Sequence, residues 1–145
     1  MIFTVCDKDI IPVLSKLKYP YYKSPSCWTC GPDESFQDHE AFYIVLTPTC
    51  HAKRPYTFLH IGDIVGIAIR YGKELVGFYI HPEVRKLGIG KVLLTHVCEQ
   101  SPISHVMINY DMYPYLESSH IIRLLCRMGF IITTHSQRVC ILYRT

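Results

Sequence analysis

Apolar positions along the chain change their period several times, and each change marks an element. Residues 2–6 form a β-prone run (IFTVC). Ile10, Val13, Leu14 and Leu17 then fall at i, i+3, i+4 and i+7, which gives a helix one apolar face. Pro12 fits that helix only in its first turn, so Asp9 is the expected cap. From residue 57 the period drops to that of strands, over 57–60, 64–70 and 75–81, joined by glycine-containing turns. In the last of these Val76, Phe78 and Ile80 face one way, and Gly77, Tyr79 and His81 the other. Helical spacing returns at Ile89, Val92, Leu93, His96 and Val97 and stops at Ser101-Pro102. A strand over 106–110 follows. A second helix is expected with Ser118 or Ser119 as its cap, Ile121, Leu124, Leu125 and Met128 as its face, and Gly129 just past its end. Strands over 130–134 and 139–144 close the chain as a hairpin.

Residues 19–56 break the pattern. Five of the nine prolines lie here, with Tyr19, Tyr21, Tyr22 and Trp28, so the stretch reads as an irregular loop region with one short element at 42–46. It is too short and too broken for a second domain, and a single domain over 1–145 is expected. The helix between the strands 75–81 and 106–110 makes a crossover unit, which sets those two strands parallel. The expected fold class is therefore α/β, with a mixed, mostly antiparallel central sheet flanked by helices.

Composition narrows the classes. Hydrophobic residues are 49% and charged residues 19%, enough apolar material for a core and contrary to a disordered chain. No apolar run approaches the roughly 20 residues of a membrane-spanning helix, and Met1-Ile2-Phe3-Thr4-Val5 lacks the form of a signal peptide, so a cytoplasmic address with no membrane partner is expected. The net charge of +3 is too small to argue for nucleic acid. Its distribution is uneven: Asp33, Glu34, Asp38 and Glu40 sit in a stretch without Lys or Arg, while Arg85, Lys86 and Lys91 cluster. Solvated loops account for the acidic stretch at least as well as a cation site does.

Seven cysteines is an odd number and argues against a disulfide framework, and Cys98, Cys126 and Cys140 sit in apolar segments as expected core residues. Cys27-Trp28-Thr29-Cys30 has the form of a zinc half-site that Cys50 or His51 would have to complete. The second half is not a paired motif, so free or packed thiols are the favoured reading and no metal is expected.

Residues 85–91, Arg-Lys-Leu-Gly-Ile-Gly-Lys, open a helix directly after a strand. A helix start of this kind presents unpaired N–H groups at the positive end of the helix dipole, a site that suits phosphate oxygens. Gly88 and Gly90 are expected to keep side chains away from the anion. The glycine spacing matches neither the G-x-x-x-x-G-K-[ST] loop nor G-x-G-x-x-G, where Leu93 stands in place of the third glycine.

Val76 to Leu94, VGFYIHPEVRKLGIGKVLL, resembles the acetyl-coenzyme A binding motif of the GNAT N-acetyltransferase superfamily. Ile80-His81-Pro82 matches that motif's strand end, and Arg85-x-x-Gly88-x-Gly90 its R/Q-x-x-G-x-G/A turn. Leu125-Cys126-Arg127-Met128-Gly129-Phe130 is similar to the family's late Y-x-K-x-G-F segment. The resemblance implies a GNAT-like sheet with one splayed parallel strand pair, and an N-acetyltransferase that uses acetyl-CoA as co-substrate with no metal. It implies that the backbone of Leu87, Gly88, Ile89, Gly90 and Lys91 binds the coenzyme A pyrophosphate, with Arg85 and Lys86 beside it. It implies too that the backbone at Tyr79, Ile80 and His81 pairs with the pantetheine arm, and that Ser118 stands where the family often has Asn. The acetyl group would pass directly to a primary amine in a ternary complex.

The family's usual acid, a Tyr, is replaced by Leu125, so Tyr113 or Tyr115 is the candidate acid for the departing thiolate, with Tyr110, Ser119 and His120 nearby. His81 and Glu83 are the candidate bases, since a histidine titrates near ~6.5. Glu74 or a water relay is the remaining route. By analogy the acceptor, a small-molecule or protein amine, enters over residues 14–56. The missing Tyr leaves a second reading open, a catalytically silent module that still binds coenzyme A. The C-terminal hairpin offers an edge for pairing with a second copy, so a homodimer is allowed.

Overall fold

The computed structural model describes residues 2–6, 9–17, 38–47, 56, 58–85, 87–109 and 115–145, with the backbone alone at 109 and 115–118. Its strands are β1 (Ile2–Cys6), β2 (His39–Val45), β3 (Ile64–Tyr71), β4 (Glu74–Ile80), β5 (His105–Asn109), β6 (Ile131–His135) and β7 (Val139–Tyr143). Its helices are α1 (Ile10–Lys16), α2 (Ile89–Gln100) and α3 (Tyr115–Arg127). The strands form one sheet in the order β1-β2-β3-β4-β5-β7-β6. Every pairing is antiparallel except β4 with β5, which is parallel. This is the mixed, mostly antiparallel α/β sheet expected from the periodicities.

Two crossovers, β4-α2-β5 and β5-α3-β6, advance the same way across the sheet. Right-handed connection puts both helices on one face. Contacts agree: a β-carbon at Gly90 of α2 would lie 3.6 Å from Leu124 Cδ2 of α3, and Phe42 of β2 meets His96 of α2 edge-on at 5.7 Å. Val106, Ile108, Cys140 and Leu142 alternate onto this face and are buried. The helix α3 ends in a Schellman motif, with Gly129 at φ +98 and N–H bonds from Phe130 to Leu125 and from Gly129 to Cys126.

The structure departs from several expectations. Residues 58–60 are irregular, tied to Asp63 by the His60 N–H and by the return bond from the Asp63 N–H to the His60 carbonyl. The short element expected at 42–46 is the strand His39–Val45, which starts earlier and has β1 and β3 paired on its two sides. The helix α3 starts at Tyr115, so Ser118 and Ser119 lie within it rather than capping it. Along α2 the buried residues are Leu93, Leu94 and Val97, while Val92 is 58% exposed, because the helix is rotated towards β3 rather than centred on Val92. Cys126 is exposed on α3, whereas Cys140 is buried and Cys98 half-buried. Among the described residues no helix is long and apolar enough to cross a membrane, and no cluster of metal-ligating side chains occurs. Cys27, Cys30, Cys50 and His51 lie outside the described residues.

Candidate active site

The site begins with a bulge. Ile69 pairs with Gly77 and Arg70 with Leu75, so Val76 is an extra residue on β4. The parallel partner stops at the same place: Glu74 pairs with His105 and Leu75 with Val106, and the register goes no further. From Val76 onward the two strands part. The wedge between them is walled by Val76, Gly77 and Phe78 on β4, by Val106, Met107 and Ile108 on β5, and by Ile121 of α3. None of these side chains titrates. A glycine inside a strand is a sign of a bulge, so Gly77 was the available pointer to this wedge; nothing in the spacing identified Met107.

Beyond the wedge, β4 runs into a 3-10 turn, Pro82–Val84, and then the start of α2. His81 caps that turn: its Nδ1 accepts the Glu83 N–H at 3.1 Å. An acceptor Nδ1 on a neutral ring leaves the proton on Nε2. His81 is only 4% exposed, and burial pushes its pKa below the ordinary value; Glu83 and Asp63 pull it up, Arg85 down. The Glu83 carboxylate accepts the Phe58 N–H at 3.0 Å. The His81 N–H bonds the Val65 carbonyl at 2.8 Å. Alternation along the antiparallel pair then turns the Tyr79 amide towards β3 as well, and turns Phe78 and Ile80 outward to the wedge side. The Tyr79 and His81 backbone, expected beside the pantetheine arm, thus faces β3, and that of Phe78 and Ile80 faces the wedge side.

Arg85 does not extend towards the helix start. Its Nε donates to the Ile80 carbonyl at 2.8 Å, and its guanidinium sits 5.8 Å from the centre of the Tyr79 ring. Gly88 is the N-cap of α2 at φ 79, with open space where a β-carbon would go. Gly90 serves differently: a β-carbon there would touch Phe78 Cζ at 3.5 Å and Ile80 Cγ1 at 3.6 Å, on the sheet side. The two glycines thus differ: Gly88 has a left-handed backbone, whereas a β-carbon at Gly90 would make only ordinary contacts between helix and sheet. Leu87, Gly88 and Lys91 are exposed around the open first turn of α2.

The family model that matches this chain is that of the Acetyltransferase (GNAT) family, over residues 19–108, more than half of the sequence. The chain belongs to the acetyltransferase (GNAT) family. Its match takes in β2, β3, the bulged β4, the turn, α2 and nearly all of β5. Solved structures share the fold. The ribosomal-protein-S18-alanine N-acetyltransferase of Escherichia coli is similar at TM-score 0.56 and 13% identity, covering 99% of this chain and 93% of its own. NAA60 of Arabidopsis thaliana, solved in complex with acetyl-CoA, is similar at TM-score 0.52 and 14% identity, covering 98% and 97%. Among curated proteins none matches the sequence.

Of the residues singled out from the sequence, the structure gathers Ile80, His81, Glu83, Arg85, Leu87, Gly88, Ile89, Gly90 and Lys91 at the end of β4 and the start of α2. Neither His81 nor Glu83 lines the wedge. Lys86 and Tyr113 lie outside the described residues, and for Tyr115 and Ser118 only the backbone is described, in the first turn of α3. Leu125 is 1% exposed and packed in the core. Glu40, from the acidic stretch, is bound to Arg70 at 3.1 Å.

Proposed function

We propose that this chain, acting as one catalytic domain over residues 1–145, transfers an acetyl group from acetyl-CoA to a primary amine by direct attack in a ternary complex. The observation that carries the reading is the wedge opened by the bulge at Val76, running out to the uncovered first turn of α2. That arrangement fits the co-substrate: a left-handed Gly88 with open space over it, then first-turn N–H groups of Ile89, Gly90 and Lys91 without intrahelical partners. Bound acetyl-CoA supplies an activated thioester carbonyl and a thiolate leaving group. In this reading the backbone from Leu87 to Lys91 holds the diphosphate, with the charges of Lys91 and Lys86 beside it. Ile80 and Phe78 face the arm with their backbone, and Arg85 holds the end of β4 in place rather than reaching the phosphates.

Positioning of amine against thioester carries most of the rate. Among the described residues the wedge walls offer no titratable side chain, so in this reading the amine proton leaves through water, with Glu83 as the carboxylate that receives it. His81 holds the turn instead, because its Nδ1 is occupied by the Glu83 N–H. Tyr115 or Tyr113 serves as acid for the thiolate, on the strength of their place after β5 and at the start of α3. The reading predicts that kcat/KM climbs with pH towards the amine pKa of about 10. A plateau already reached below about pH 6.5 with an amine of ordinary pKa would overturn this assignment.

The burial of Leu125 where the family's Tyr would stand favours one other reading, a module that binds acetyl-CoA and does no chemistry. Thiol release over a panel of primary amines, with products weighed by mass spectrometry, separates the two. Tight acetyl-CoA binding with no product from any amine sinks the enzymatic reading.

A further inference from the structure

The half of the sheet beyond the wedge has two unlike faces. One carries α3 over Val106, Ile108, Cys140 and Leu142, all buried. On the other, Met107 pairs with Ile141 across β5 and β7, and Tyr143 pairs with His105 and Ile131. Met107 is 52% exposed and Ile131 68% exposed on this second face. Strands β5, β6 and β7 contain no Asp, Glu, Lys or Arg at all (HVMIN, IITTH and VCILY).

Met107 is also a wall of the wedge, opposite Val76 and Gly77. It therefore belongs to both the thioester slot and the open face. The start of α2 lies on the α2/α3 face, so a donor held there fills the wedge from that side. An acceptor must reach the thioester from the other face, the one on which Met107 stands.

We propose that Met107, backed by Ile141, is the specificity-determining contact for the acceptor, and that the acceptor is a primary amine whose neighbouring group is apolar and uncharged. This rests on the acetyltransferase reading above. A polyamine brought against Met107 and Ile141 would desolvate its second ammonium group with no carboxylate on β5, β6 or β7 to receive it, and Glu74 of β4, on the same face beside His105, lies where the strands are still paired rather than where they part, so this is costly. An apolar neighbour removes water from Met107 and Ile141 instead, which is favourable. The acidic stretch does not offset this through Glu40, which is held by Arg70.

The test uses the full chain with acetyl-CoA and five acceptors: hexylamine, phenethylamine, a peptide beginning Met-Leu, spermidine, and an N-terminally blocked peptide with one Lys. The first two against the third tell a free amine from a peptide N-terminus. The wild type is expected to favour at least one of the first three over spermidine and the Lys peptide by about tenfold or more in kcat/KM. Met107→Ala is expected to raise KM for the favoured amine about tenfold more than it raises KM for spermidine. Met107→Leu keeps the wild-type preference, and Met107→Glu shifts it towards spermidine. Calorimetry of the favoured amine against protein loaded with coenzyme A, a complex that cannot turn over, is expected to show the same loss on Met107→Ala. Melting curves and circular dichroism check that each variant is folded. Preference of the wild type for spermidine or the Lys peptide, with acetyl-CoA bound, overturns the inference alone. So does an equal loss with every amine in Met107→Ala, or loss of preference in Met107→Leu. Absence of acetyl-CoA binding in the wild type overturns the acetyltransferase reading and this inference with it, and is told apart by the calorimeter before any amine is added.

Discussion

Replacing Gly88 and Gly90 by alanine, one at a time, separates two kinds of glycine that a motif treats as equivalent. Gly88 sits at φ 79 with nothing within 4 Å of a would-be β-carbon, so alanine there meets no clash. Its whole penalty is conformational: an L-residue in the left-handed region costs about 1–2 kcal/mol. For a chain of 145 residues that corresponds to a fall in Tm of roughly 3–8 °C. Gly88→Asn loses less, because Asn tolerates this region. Gly90 lies inside the first turn of α2, and a β-carbon there finds Phe78 Cζ at 3.5 Å and Ile80 Cγ1 and Leu124 Cδ2 both at 3.6 Å, which is ordinary contact. Alanine in a helix gains about 0.5–1 kcal/mol over glycine, so Gly90→Ala is expected to be neutral or stabilising. Urea unfolding followed by circular dichroism reads the stability, and calorimetry with acetyl-CoA reads the site. Binding is expected to weaken about tenfold in Gly88→Ala, where the turn must relax, and to stay within about threefold in Gly90→Ala. A Gly90→Ala loss as large as that of Gly88→Ala, or a neutral Gly88→Ala, would refute the division of roles.

Two further outcomes follow from the same geometry. Burial holds His81 below its ordinary pKa, with Glu83 and Asp63 opposing and Arg85 assisting, so on acidification the unfolded chain takes up this proton first. Its share of the stability is complete above about pH 6.5 and is lost as pH falls from there through the folded-state value. His81→Asn keeps an acceptor for the Glu83 N–H without a titrating ring and is expected to flatten that part of the urea-midpoint profile; an unaltered profile contradicts the reasoning. At Gly66 a β-carbon would stand 2.7 Å from Ile80 Cδ1, the free end of that side chain, which must turn aside, so Gly66→Ala is expected to cost only about 1 kcal/mol. Ile80→Val removes that methyl group, and the double mutant should then be more stable than the sum of the singles by about 1 kcal/mol; strict additivity in a double-mutant cycle counts against the contact.

Much of this architecture was legible because it depends on near neighbours in the chain. The spacing of Ile10, Val13 and Leu14 set α1, and Gly129 closed α3 in the left-handed turn its position implied. The strand, Pro82 and Gly88-Ile89-Gly90 announced the turn into α2, since strand end, cap and helix start are local backbone preferences. The strand at His39–Val45 was legible only as a short element at 42–46, because prolines surround it in sequence and its stability comes from β1 and β3 on either side. The splayed strand pair was legible only through the family resemblance, because the wedge exists where β3 steps one residue while β4 steps two at Val76, a property of pairing rather than of either strand alone. The same holds for individual side chains. Charge in the sequence pointed Arg85 at a phosphate, yet folding supplies a nearer acceptor at the Ile80 carbonyl, and a histidine that reads as a base becomes a cap once its Nδ1 meets the Glu83 N–H. Periodicity and capping act over a few residues and are written along the chain. Register, burial and the direction of a hydrogen bond depend on atoms brought together from distant positions, and they arise when the sheet assembles.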